Sequence, residues 1–336
     1  MSRGFANPLT ELAEFEELQQ SLKKKQGPVQ VSGCLDSQKV HLMQETMADR
    51  PWKLVVTYDD ARAKEIYDDF GCFRDNVWLY PAKDLLFYSA DIHGNLITRE
   101  RLQGLRHLME DQNGVVVTTM DGLMDHLLPL SGMREQVLHL ETGQELDLEA
   151  WKIRLAELGY ERMPQVDGMG QFSVRGGILD IYPLTEELPV RIELWDTEVD
   201  SIRTFDLESQ RSIEQLDEID IYPATEIVLT KKQAREGVER IRSEAKSFAE
   251  KLRSQQNTEE AYRITGIVKE LTEGIEEGWK QTGLDAWISY FNKETVSFLD
   301  YFDPEQSMIF LDEPLRLKEK AETTETEFRE SMSHRL

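Results

Sequence analysis

Residues 52–80, WKLVVTYDDARAKEIYDDFGCFRDNVWLY, indicate the fold class, because two short apolar runs flank one helical segment. Trp52–Thr57 and Val77–Tyr80 have the length and apolar content of buried strands. Asp59–Phe70, which lies between them, spaces its apolar residues as an amphipathic helix does. A strand, a helix and a further strand in this order are typical of a βαβ unit with parallel strands.

The same alternation continues along the first part of the chain and returns near its end. The sequence predicts a helix over Thr98–Glu110, a strand over Gly114–Thr119 and a last buried strand over Met308–Leu311. We therefore predict an α/β fold around a largely parallel sheet, to which both parts of the chain contribute.

The segment between these two parts has a different character. Leu148–Gly159 is an amphipathic helix that ends at a glycine, and short strand-like pieces follow it up to Phe205. This composition predicts a small α+β domain inserted into the α/β module. The predicted parts are residues 1–134, the inserted domain at 135–222, a second α/β part at 223–317, and a polar helical tail or linker at 318–336 that leads to further domains.

Composition limits the function. The chain has 39 Lys and Arg against 64 Asp and Glu, a net charge of −25 over 336 residues. So acidic a protein repels phosphate, which argues against one that coats nucleic acid. The two cysteines indicate neither a disulfide framework nor a zinc site, and no apolar run approaches the roughly 18 residues of a membrane span. We expect a cytoplasmic protein.

One segment has part of the spacing of a phosphate-binding loop. A predicted short strand over 28–33 leads into Gly33, and Lys39 follows Gly33 at the distance that such a loop requires. However, Gln38 replaces the second glycine, and Val40 replaces the hydroxyl residue that would bind magnesium. We interpret this segment as a degenerate nucleotide loop.

The remaining signals of catalysis are weak. Asp312 and Glu313 follow an apolar run, as the magnesium-binding acids of nucleotide hydrolases do, but a strand that ends in an acidic loop has the same sequence. The six histidines show no paired metal-binding spacing, and no Ser- or Cys-based nucleophile motif occurs. We therefore predict no catalytic residue, no metal site and no cofactor in this chain.

The inserted domain carries a candidate binding face. In residues 190–195, VRIELW, apolar side chains alternate with Arg191, Glu193 and Trp195, so these three share one face of a strand. Arg175 is placed on the same side by the alternation in its own strand. Exposed arginine and tryptophan are typical of protein-binding hot spots. The alternative is that Trp195 covers a core edge while the arginines pair with local glutamates.

Two stretches of this domain closely resemble a known signature. VRGGILDIYP at 174–183 and VRIELWDTEVDSIRTFD at 190–206 are similar to the signature of UvrB and of transcription-repair coupling factors. Residues 80–88 and 115–124 agree with the same families. The resemblance implies a RecA- or helicase-type parallel sheet that carries the inserted domain.

Departures from the family signature favour one of its branches. UvrB has an intact phosphate loop and an aromatic DNA-threading hairpin, whereas this chain has Gln38-Lys39-Val40, and its interval 80–115 is short and poor in aromatics. The chain is therefore most similar to the amino-terminal UvrB-like region of the transcription-repair coupling factors (Mfd), a bacterial family. The resemblance implies a degenerate helicase module without catalysis, whose DNA translocase and RNA polymerase contacts belong to downstream domains.

The resemblance also implies a partner. It assigns UvrA binding to Arg175, Arg191 and Trp195, and we expect the Arg191 guanidinium to point at UvrA and to contribute little to stability. The implied role is an adaptor that recruits nucleotide excision repair to stalled RNA polymerase, with a face that downstream domains could mask. The alternative is an ATP-dependent, UvrB-like helicase with an unusual phosphate loop.

Overall fold

The structure is a computed structural model that describes residues 7–24, 27–83, 92–276, 284–292 and 294–335. Its strands are β1 Trp52–Thr57, β2 Val77–Tyr80, β3 Gly114–Thr119, β4 Leu138–Glu141, β5 Glu161–Arg162, β6 Gln171–Arg175, β7 Ile178–Tyr182, β8 Val190–Trp195, β9 Glu198–Phe205, β10 Ser212–Leu216, β11 Glu218–Ile221 and β12 Ser307–Leu311. None of the described helices has the length and hydropathy that crossing a membrane requires.

The helices occupy most of the remaining described chain. They are α1 Asn7–Thr10, α2 Ala13–Lys23, α3 Ser37–Glu45, α4 Asp60–Gly71, α5 Ile92–Glu110, α6 Met120–Leu123, α7 Leu130–Arg134, α8 Leu148–Glu157, α9 Lys231–Ser254, α10 Thr258–Glu276, α11 Ile288–Phe291 and α12 Pro314–Arg335, with short 3-10 turns at Leu284–Trp287 and Phe298–Tyr301.

The chain divides into two compact units. The first comprises Met1–Lys83, Glu110–Asp125 and Phe298–Thr326, and the second comprises Asp84–Met109, His126–Ser297 and Glu327–Leu336. The domain boundaries that the sequence analysis placed after residues 134, 222 and 317 remain predictions.

The first unit is built around a parallel sheet with the strand order β12-β1-β3-β2. Leu54 of β1 lies opposite Val116 on one side and Ile309 on the other, which makes β1 a central strand. Leu54, Val55 and Val56 are fully buried, as expected for a strand covered on both faces. The predicted α/β fold is confirmed, and the final strand joins the first sheet as expected. The prediction that this strand is buried is wrong, because β12 lies at the edge of the sheet, where Ile309 and Leu311 are exposed.

The second unit contains a six-stranded sheet with the order β10-β9-β8-β7-β6-β5. Strands β6 to β10 are antiparallel neighbours, and β5 pairs with β6 in parallel. The apolar row Leu179, Ile192 and Ile202 crosses β7, β8 and β9 in register and is fully buried. A separate antiparallel sheet pairs β4, which precedes these six strands in the chain, with β11, which follows them.

Helix α5 belongs to the second unit because three of its arginines pair with glutamates there. Arg99 pairs with Glu187 at 2.6 Å and Arg106 pairs with Glu186 at 2.6 Å. Arg101 donates to both oxygens of Glu226, at 2.7 and 3.0 Å, and both side chains are almost fully buried. A buried pair of this kind ties a helix firmly to its neighbour, since separating it breaks two charged hydrogen bonds in a buried environment.

Helices α9 and α10 form an antiparallel hairpin in the same unit. Thr230 and Gln233 form a complete capping box at the start of α9. Val238, Ile241 and Val268 form the hairpin core together with Phe291. Gly237 makes this packing possible, because a Cβ at that position would lie 2.1 Å from the Phe291 ring.

Candidate functional site

The predicted nucleotide loop does not follow a strand. Residues 28–32 form no regular structure, so the strand predicted over 28–33 is wrong, and Val31 is exposed where a sheet strand would be buried. Gly33 has a φ of +88°, which glycine adopts readily, and α3 begins at Ser37. The loop therefore reaches α3 without the strand that positions a phosphate-binding loop in a parallel sheet.

The backbone amides at the start of α3 are used within their own turn. The Gln38 amide donates to the Leu35 carbonyl at 2.8 Å, and the Lys39 amide donates to the Asp36 carbonyl at 3.0 Å. Val40 is fully buried in the core of the first unit, on the inner side of α3. These groups therefore have other partners than a phosphate.

Lys39 meets the two acids that the sequence singled out. Its Nζ lies 2.9 Å from Asp312 Oδ1 and 2.6 Å from Glu313 Oε1. Asp312 is buried at the end of β12, where Thr57 Oγ1 donates to it at 3.1 Å and Arg62 Nε at 3.2 Å. The structure thus brings the loop lysine and the acid pair together.

Thr57 and Arg62 were missed at the sequence level, although a signal for them exists. Thr57 ends β1 and Arg62 lies in the first turn of the following helix, at the carboxyl edge where parallel sheets place polar site residues.

Hydrogen bonds and opposite charges keep Lys39 and Asp312 in their charged forms. Burial raises the pKa of Asp312, but hydrogen bonds from Lys39 and Arg62 outweigh this and leave the pKa below its ordinary value. Burial lowers the pKa of Lys39, but its hydrogen bonds to Glu313 and Asp312 raise it by more. Because the lysine is paired with two carboxylates of its own chain, a phosphate would have to compete with both of them for its charge.

The candidate binding face is carried by β6, β7 and β8. Asp180 in β7 lies directly opposite Ser173 in β6 and Arg191 in β8, so the three share one face of the sheet. Gly176 turns the chain between β6 and β7 with a φ of +62°. At Gly177 a Cβ would lie 3.0 Å from the Leu194 carbonyl oxygen, so the glycine pair allows this turn to pack against β8.

Arg191 is largely enclosed by its own domain. Its Nε and Nη2 donate to Asp180 at 2.7 and 3.0 Å, and Nη2 also donates to Gln210 Oε1 at 2.9 Å. The guanidinium lies 4.4 Å from the centroid of the buried Phe205 ring, and the side chain is only 14% exposed. The expectation that the Arg191 guanidinium points outward is therefore wrong, because a buried carboxylate opposite it draws the guanidinium inward. We now expect Arg191 to contribute to the stability of the domain. The hydrogen bond that Arg191 donates to Asp180 also raises the Arg191 pKa.

Arg175 and Trp195 are much more open. Arg175 Nη2 donates to Asp180 Oδ2 at 2.7 Å, yet the side chain remains 45% exposed. Trp195 is 80% exposed at the end of β8, so it does not cover a core edge as the alternative interpretation proposed. Both arginines do pair with an acid of their own domain, but that acid is Asp180 and not a glutamate, as the alternative proposed.

Asp180, Phe205 and Gln210 were missed at the sequence level. Asp180 is a lone acid inside the apolar strand ILDIY, and a charged residue at such a position requires a buried partner. That signal was available from the sequence. The role of Gln210 was not, because it depends on how the turn after β9 folds back.

One exposed group in the described residues has the composition of a metal site. The ligand atoms of His139, Glu141 and Glu218, on β4 and β11, lie within 4.8 Å of one another. His139 Nδ1 is 2.7 Å from Asp220, and this hydrogen bond is the largest contribution that raises the His139 pKa. All three residues are exposed, and we assign no metal to them.

Comparison with known proteins agrees with the family resemblance found in the sequence. Residues 138–227 match the family model of the UvrB interaction domain. The chain is 33% identical over 284 residues to the transcription-repair-coupling factor of Bacillus subtilis strain 168, covering 84% of this chain and 24% of that protein. It is 31% identical over 342 residues to that of Staphylococcus epidermidis, covering 99% and 28%, and 30% identical over 305 residues to that of Staphylococcus haemolyticus, covering 88% and 25%.

The chain thus spans about a quarter of the length of the curated relatives it matches. The resemblance stated from the sequence is confirmed, both for the UvrB interaction domain and for the transcription-repair-coupling factors.

Proposed function

We propose that this chain is the part of a transcription-repair-coupling factor that binds UvrA and thereby recruits nucleotide excision repair to stalled RNA polymerase. The observation that carries the proposal is the match of residues 138–227 to the UvrB interaction domain, because the candidate face lies within that match. Of the three residues assigned to this face, Trp195 and Arg175 are exposed and supply apolar area and charge, while Arg191 is enclosed by its own domain.

The proposed role is non-catalytic in this chain. Three features support it: the internal pairing of Lys39, the buried position of Val40 and the use of the loop amides within their own turn. Translocation along DNA and contact with RNA polymerase are then functions of the remaining three-quarters of the full-length relatives. Those parts could also mask the UvrA face in the complete protein.

A titration of UvrA onto the 336-residue chain tests the binding role. Trp195→Ala should weaken association by about 2 kcal/mol, the scale of an interfacial hot spot. Tyr262→Ala is the matched control, because Tyr262 in α10 is also an aromatic side chain, 82% exposed, outside residues 138–227. Equal binding by wild type and Trp195→Ala would contradict the assignment of this face.

Calorimetry with Mg-ATP tests the competing helicase function. We expect no heat of binding, since Lys39 is already paired with Asp312 and Glu313. Saturable binding that is lost in Lys39→Ala would favour the ATP-dependent alternative.

A further inference from the structure

One buried carboxylate organises the candidate face. Asp180 is 1% exposed and lies on β7, between the strands that carry Arg175 and Arg191. Its Oδ1 accepts from Arg191, and its Oδ2 accepts from both arginines, at 2.7 Å from Arg175 and 3.0 Å from Arg191. Both guanidinium groups are therefore fixed relative to a single side chain that no partner can touch.

The two arginines are held to different degrees. Arg191 also donates to Gln210 and stacks on Phe205, so its donors are turned into the domain. Arg175 has one hydrogen bond in the structure, through Nη2, although a guanidinium has five N–H donors. The donors of Arg175 that are not bound to Asp180 are the part of this cluster that a second protein can reach.

We infer that Asp180 is a positioning residue of the partner face, which holds Arg175 so that its free donors meet a carboxylate of the partner. The inference rests on the proposed function, since it names the residue behind the UvrA contact. Asp180 supplies one negative charge against two guanidinium groups, so the cluster keeps one uncompensated positive charge. In a chain of net charge −25, this charge favours an acidic group on the partner.

A fixed guanidinium binds a carboxylate better than a mobile one does. An arginine that is already oriented loses less conformational freedom when it forms a two-pronged pair. Without Asp180, Arg175 would be a flexible side chain at the end of β6, next to a second guanidinium that repels it. The contribution of Asp180 to UvrA binding should therefore depend on the presence of Arg175.

A double-mutant cycle in UvrA binding separates this role from a purely structural one. Asp180→Asn keeps the shape of the side chain, and we expect it to weaken UvrA association about tenfold or more at temperatures where melting shows the variant to be folded. In the Arg175→Ala background the same change should have little further effect, because the group through which Asp180 acts is absent. Equal losses in both backgrounds would overturn the inference.

Glu157→Gln provides the matched control. Glu157 lies in α8, within residues 138–227 but on none of the strands of the candidate face, and pairs with Arg154, so removal of this carboxylate should leave UvrA affinity within about twofold of wild type. If Glu157→Gln weakens binding as much as Asp180→Asn does, the effect belongs to the loss of any carboxylate of this domain and the inference fails.

A second measurement does not depend on UvrA. Side-chain NMR of Arg175 in the free chain should show slowed guanidinium rotation in wild type and faster rotation in Asp180→Asn. Unchanged rotation would contradict the positioning role even if UvrA binding falls. If wild type itself does not bind UvrA, the proposed function fails, while a loss of rotational restraint in Asp180→Asn would still support the positioning of Arg175.

Discussion

Replacement of Arg191 by alanine should destabilise the second unit measurably. The substitution removes two hydrogen bonds to a buried carboxylate, the contacts with Gln210 and the packing on the Phe205 ring. Loss of one partner of a buried ion pair costs about 3–5 kcal/mol. Because Arg175 remains bound to Asp180, we expect about 2–3 kcal/mol for Arg191→Ala.

The expected loss is large enough to measure by thermal melting. A change of about 2 kcal/mol lowers the melting temperature of a domain of this size by roughly 4–8 °C. Arg175→Ala is the matched comparison, since it removes one hydrogen bond from a side chain that is 45% exposed, and we expect at most about 1 kcal/mol. If both variants melt alike, or if Arg191→Ala melts as wild type does, then the enclosed position of Arg191 does not stabilise the domain. UvrA binding by Arg191→Ala must be measured well below its transition, because unfolding alone would reduce it.

Three further predictions concern buried charges. Burial lowers the pKa of Lys53 to about 8 against 10.5 in the unfolded chain, so between these pH values the unfolded state holds a proton that the folded state has released. Stability should therefore rise by up to about 3 kcal/mol from pH 8 to 10.5 in urea titrations of wild type and lack this rise in Lys53→Met. Glu226→Ala leaves Arg101 buried without its main partner and should cost about 3–5 kcal/mol by melting, whereas exposed Glu218→Ala should cost less than about 0.5 kcal/mol. The pKa of Asp312 lies below its unfolded value of 3.8, so its stabilisation is present above pH 3.8 and is lost as the pH falls further; Asp312→Asn should flatten that acid limb of the stability curve.

The sheet of the first unit could be predicted from local sequence, whereas the place of α5 could not. The central strands β1 and β3 are short apolar runs, and burial on both faces makes such runs conspicuous. Helix α5 has an ordinary amphipathic sequence. Its arginines hold it in the second unit by pairing with glutamates that lie 80 to 125 residues further along the chain. No local property of the helix reveals which distant carboxylates it will meet.

For the candidate face too, one part of the arrangement could be predicted from local sequence and another part could not. Alternation along β8 predicts that Arg191 and Trp195 lie on one side of the strand, because the period of two alone decides that. Alternation does not reveal which arginine is exposed. Arg175 and Arg191 follow the same alternation along their strands and differ only in the residues that face them from neighbouring strands and turns. That difference depends on Asp180, Phe205 and Gln210, which reach Arg191 through the register of β7 and β9 and the turn after β9.

The two candidate sites of this chain use the same arrangement to opposite effect. In each, a buried carboxylate at a strand binds two cations: Asp312 binds Lys39 and Arg62, and Asp180 binds Arg175 and Arg191. At Asp312 the second acid, Glu313, also binds Lys39, so two carboxylates hold the cation that a phosphate would need. At Asp180 no second carboxylate pairs with Arg175 in the part of the chain that the structure describes, and that arginine keeps donors in solvent. The number of acids around the outer cation, rather than the cation itself, therefore distinguishes a site closed by its own chain from one available to a partner.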